Sequence, residues 1–155
     1  MRALQSTANV SSILGDILIR EERPQANAQW SGVVLLGAFS PEQIRTISKL
    51  RELLSLPHNW DSYGSPPPTA IAVNRAIRVV LEITSDVFLL PRVVPVPGGG
   101  VQLEWSFRER ELEIEIDDKG SVEYLKAEQG TPIAEGQIGG ANILGTRPLV
   151  AWLTA

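Results

Sequence analysis

The chain has 155 residues, 43% hydrophobic and 21% charged, with no cysteine, one histidine, a formal charge of −4 and a pI near 5.0. A chain of that length fits one domain that buries roughly 68–70% of its unfolded surface, and the composition excludes wholesale disorder, a fibrous repeat, thiolate catalysis, disulfides and thiolate zinc sites. The acidic balance argues against phosphate-backbone binding, which needs Lys and Arg to displace counterions, so no nucleic-acid partner is expected.

Along the chain, residues 1–39 read as an N-terminal extension or as short strands. Residues 13–20 (ILGDILIR) and 33–39 (VVLLGAF) are apolar runs of strand length on either side of a polar stretch. No apolar run reaches the roughly 18 residues of a membrane span. The first 22 residues also lack a basic region followed by an apolar core and a cleavage site. The expectation is a cytoplasmic, unprocessed protein with no membrane association.

At Ser40 the pattern sharpens. Ser40, Pro41 and Gln43 supply an N-cap, a proline at the first helical position and an amide at N3, which together form a capping box. Ile44, Ile47, Leu50, Leu53 and Leu54 then recur at helical spacing, and Pro57 predicts an end near Leu56. Thr69 is placed to cap a second helix with Val73, Ala76, Ile77, Val80 and Leu81 on its buried face.

Beyond Asp86 the period changes to two. Val101, Leu103, Trp105 and Phe107, then Leu112, Ile114 and Ile116, alternate with polar residues, as in half-buried antiparallel strands. Asp118-Lys119-Gly120 suits a three-residue hairpin loop pairing Asp117 with Ser121, Ile116 with Val122 and Ile114 with Tyr124. Residues 92–96 (RVVPV) read as an edge strand, because Pro95 cannot donate to a ladder, and residues 131–134 as a short final strand. Thr146 and Pro148 open a terminal helical turn. The predicted fold is α+β: two helices packed on one face of a three- to four-stranded antiparallel β-meander, with a short C-terminal helix, in a single domain over residues 40–155.

Two surfaces are candidates for function. The loop at residues 53–69 gathers His58, Asn59, Trp60, Asp61, Tyr63 and Gly64, a set that can line a pocket. The same residues also serve as structural anchors, with Asp61 accepting backbone N–H groups and Gly64 supplying a positive φ. The second surface is the outward sheet face of Glu104, Glu111, Glu113, Glu115 and Glu123. Arg108, Arg110 and Lys126 are expected near enough to offset its repulsion. The runs at residues 97–100 and 136–145 contain neither a phosphate-loop nor a dinucleotide fingerprint, and no cofactor is expected.

The segment LPHNWDSYGSPPP, followed by GGVQLEW at residues 99–105, resembles small uncharacterised bacterial proteins that share an LPxNWDxYGxxPP stretch before a helix and then a GGxxxEW strand. The resemblance covers residues 50–125. It implies no established activity, and it implies a genomic setting among phage-related, mobile-element or toxin–antitoxin-like genes.

Three functional expectations follow. The first is a non-enzymatic interaction protein, antitoxin-like or inhibitor-like, that binds another protein through Trp60, Asp61, Tyr63, Glu104, Glu113 and Glu115. The second is a small metal-dependent or carboxylate-based hydrolase using Glu104 with Glu113, or Asp61 with His58, in a cleft beside Trp105. The third is a small-ligand module that stacks its ligand on Trp60 and Tyr63.

Overall fold

The computed structural model describes residues 39–83, 89–139 and 145–155. The apolar run at residues 13–20 and nearly all of that at 33–39 lie outside the described residues. Helix α1 spans Pro41–Glu52. Its capping box is closed in both directions: Ser40 Oγ accepts the Gln43 N–H at 3.2 Å, and the Ser40 N–H donates to Gln43 Oε1 at 2.7 Å.

Helix α1 buries Ile47 and Leu50, but Leu54 is 42% exposed. The α-helix gives way to a 3₁₀ turn at Leu53–Ser55. Three residues per turn instead of 3.6 rotate Leu54 off the apolar stripe. Helix α2, Ala70–Glu82, starts where Thr69 Oγ1 accepts the Ala72 N–H at 3.1 Å. It buries Val73, Ala76, Ile77, Val79 and Val80, as its apolar breadth requires.

The sheet is a five-stranded antiparallel meander in the order β1-β2-β3-β4-β5, where three to four strands were expected. Its strands are β1 Arg92–Val96, β2 Gly100–Phe107, β3 Arg110–Ile116, β4 Val122–Glu128 and β5 Thr131–Ile138. The expected hairpin is present: the Asp117 N–H donates to the Ser121 carbonyl, Ile116 faces Val122, and Ile114 faces Tyr124.

The additional length lies in β5, which continues past Ala134 to Ile138. Gly136 sits directly opposite Tyr124, and a Cβ there would come within 2.9 Å of the Tyr124 ring. An aromatic side chain thus covers the gap that a strand glycine leaves.

Val101, Leu103, Trp105, Leu112, Ile114 and Ile116 form one fully inward face, and α1, α2 and helix α3 (Thr146–Thr154) pack on it. Helix α3 contributes Leu149, Val150 and Leu153. Truncating Leu103 or Ile114 in such a close-packed layer costs about 2–5 kcal/mol.

Candidate functional site

The loop between α1 and α2 is organised by its own polar side chains. Asp61 Oδ1 accepts the N–H groups of Tyr63 and Ser65, at 2.9 and 3.2 Å, and Oδ2 accepts the Ser65 hydroxyl. The Asn59 side chain accepts the Gly64 N–H at 2.7 Å, and the Trp60 indole donates to the Pro66 carbonyl at 3.0 Å. Asn59, Ser62 and Gly64 all have positive φ, so the loop turns tightly at three positions.

The Ser65 hydroxyl, followed by the two backbone N–H groups, stabilises the charged form of Asp61 and holds its carboxyl below the usual aspartate value. Asp61 and Asn59 therefore shape the loop, and Trp60 is half-buried against it. Tyr63 differs from all of these: it is 93% exposed on a turn held by its own N–H bond to Asp61. His58 is exposed as well.

The end of the loop before α2 and the turn before β2 meet in space. The Thr69 N–H donates to the Gly99 carbonyl at 2.9 Å, and a Cβ on Gly99 would lie 3.4 Å from Thr69 Cγ2 and 3.5 Å from the Pro67 carbonyl oxygen. Gly100 abuts the backbone of Ile116, where a Cβ would be 2.8 Å from the carbonyl oxygen. Trp105 is buried and donates to the Leu89 carbonyl at 3.1 Å, which fixes the approach to β1. These positions serve the fold.

The outward face is built by register. One row across the sheet reads Arg92, Glu104, Glu113, Leu125, Glu135, and the next reads Val94, Gln102, Glu115, Glu123, Gln137. Glu104 lies directly opposite Glu113, and Glu115 directly opposite Glu123. Glu135 joins the five carboxylates read from the sequence, because β5 is longer than its composition suggested.

Arg92 pairs with Glu104 at 2.7 Å, and Gln137 donates to Glu123 at 2.9 Å. Among the described residues, Glu111, Glu113, Glu115 and Glu135 have no ion-pair partner. A shallow open depression of about 400 Å³ lies among Glu113, Glu115, Glu123, Leu125 and Glu135.

The expected offsetting cations are elsewhere. Arg110 stands on the same face as Leu112, pairs with Glu128 at 3.2 Å, and donates to the carbonyls of Trp152 and Ala155 at 2.6 and 2.8 Å. Its guanidinium and the Lys126 ammonium lie 5.1 and 4.9 Å from the Trp152 ring, so both cations clamp α3. Arg108 lies over Phe107. The reason is pleating, since both Arg110 and Lys126 are in phase with the core positions.

The same phase separates Trp105 from Glu104 and Glu113, so no cleft beside Trp105 contains that carboxylate pair. Among the described residues no three His, Asp or Glu side chains converge as metal ligands, and no helix is long and apolar enough to cross a membrane. Comparison with protein-family models, curated proteins and solved structures returned no match.

Proposed function

We propose that this chain is a non-enzymatic interaction protein whose acidic sheet face docks a basic surface of another protein, with Tyr63 as a separate exposed contact. The observation that carries the reading is the row structure of the sheet: carboxylates stand opposite one another while Arg110 and Lys126 are used on the other side. Like charges placed directly across strands destabilise a sheet. A solvated face needs charge, but it does not need charge of one sign. A basic partner would relieve the repulsion and be steered onto the face by it.

The hydrolase reading is weaker because its groups are otherwise engaged. Asp61 is committed to loop hydrogen bonds, and Glu104 is engaged by Arg92. A bacterial, antitoxin-like or inhibitor-like role rests on the resemblance of the loop and the β2 segment, and is part of the same proposal. The test is affinity capture from lysate of the source cells with the wild-type chain and with Glu113→Gln/Glu115→Gln/Glu135→Gln. A basic protein retained by the former and lost by the latter is expected. Equal capture by both, or capture by neither, overturns the reading.

A further inference from the structure

The two edges of the sheet are unequal. Each edge strand carries a proline that cannot donate to an added strand, Pro95 within the five residues of β1 and Pro132 near the start of β5, so only β5 keeps a proline-free run, residues 133–138, longer than β1 itself. Strand β5 is eight residues long and bonds β4 along one side only. Among the described residues no strand lies beyond it. Thr131 to Glu135 and Gln137 are exposed, and Gly136 and Ile138 half-buried. A bulge at Lys126/Ala127 disturbs the register near Ile133, which leaves residues 134–138 as the regular stretch. Such an edge presents a row of unpaired N–H and C=O groups, a ready template for another strand.

The edge adjoins the acidic face. Glu135 and Gln137 point outward from β5, in the same rows as Glu113, Glu115 and Glu123. A strand laid beside residues 134–138 would stand about 4.8 Å from β5 and about twice that from β4, so every second side chain would lie beside Glu135 and reach toward Glu123.

We infer that β5 accepts an extended segment of a basic partner protein as a sixth strand, with lysine or arginine at alternate positions reaching Glu135 and Glu123 at the margin of the acidic face. This rests on the docking reading above and adds to it the form of the ligand. Charge complementarity selects the occupant. A second copy of this chain paired through β5 would bring acidic rows together, whereas a Lys- or Arg-alternating segment would neutralise them. Backbone bonds to the edge would supply affinity and the alternating cations specificity, as in strand addition generally.

The test uses the intact chain and three synthetic peptides as long as β5. One alternates lysine with threonine, one is the same peptide N-methylated at every residue, and one alternates glutamate with threonine. Binding is read by fluorescence anisotropy at low ionic strength and location by amide hydrogen exchange.

The Lys-Thr peptide is expected to bind about tenfold or more tightly than either control and to slow exchange at residues 134–138. If the Lys-Thr peptide fails to bind while protein capture still depends on the acidic face, only the strand addition is overturned; if that capture fails too, the docking reading itself falls. If Glu123→Gln/Glu135→Gln leaves Lys-Thr binding unchanged, the charge complementarity on which the inference rests is overturned. If binding depends on charge but the N-methylated peptide binds equally and the amides of 134–138 stay unprotected, only the strand addition is overturned. Slow exchange of those amides in the protein alone, or protection that grows with protein concentration, also overturns it, because the edge would already be taken by this chain or by a second copy.

Discussion

Asp61 is the residue on which the loop between α1 and α2 turns, because one carboxylate satisfies two backbone N–H groups and a hydroxyl. Its depressed pKa means that the folded loop binds the proton less readily than the unfolded chain does. Its stabilisation is therefore complete above the unfolded aspartate value of about 3.9 and is lost as pH falls through the lower folded value. Asp117 behaves alike at the β3–β4 turn, held down first by the Ser121 N–H and then by that of Lys119. Acidification below about pH 4 is expected to lower the amide protection factors at Tyr63, Ser65, Lys119 and Ser121, measured against the slower intrinsic exchange in acid. Asp61→Ala should reproduce the first two of these at neutral pH and leave the turn at Asp117 untouched. Unchanged exchange at Ser65 in that variant would show that Asp61 does not hold the loop.

At the level of the elements, the acidic rows carry a stability cost that can be measured. Glu115 faces Glu123 and lacks an ion pair among the described residues. Glu115→Gln is expected to stabilise the fold by about 0.2–1 kcal/mol at low ionic strength, with the gain vanishing near 1 M salt, where screening acts within about 3 Å. Chemical denaturation at the two salt concentrations checks this, and a loss of stability at low salt would contradict it. The stretches that could be read ahead of the structure are those set by local rules: the Ser40 capping box, the loop at Asp118-Lys119-Gly120, and the alternation from Val101 to Ile116. The end of β5 was hidden because its inward residues Ala134 and Gly136 are small, and their cover comes from Tyr124 on another strand. Arg110 and Lys126 were misplaced when charge was weighed ahead of phase. Counting by two from Leu112 already assigns Arg110 to the helix side. The roles of Asp61 and Gly64 within the loop were legible from turn chemistry, whereas the Asn59 bond to the Gly64 N–H and the 93% exposure of Tyr63 were not, since an aromatic in a proline-rich loop is more often an anchor.

Across the whole molecule, the sheet separates charge. Arg110 and Lys126 secure α3 through Trp152 on one side, while the other side carries acids with Arg92 at its margin. Trp152→Ala is expected to cost about 1–3 kcal/mol, below the figure for a fully buried ring because Trp152 is half-buried. Thermal unfolding measures it, and an unchanged Tm would mean that α3 is held by Leu149, Val150 and Leu153 alone. Thr69 joins parts of the chain that are far apart in sequence: its hydroxyl caps α2 and donates to the Asp118 carbonyl at 3.0 Å, while its N–H reaches Gly99. The cap itself is local, but the bonds to Gly99 and Asp118 can form only once both neighbouring hairpins have closed, so they are expected to form late in folding. Thr69→Ala should then quicken unfolding and barely slow refolding, whereas Thr69→Ser should keep both rates near those of the parent.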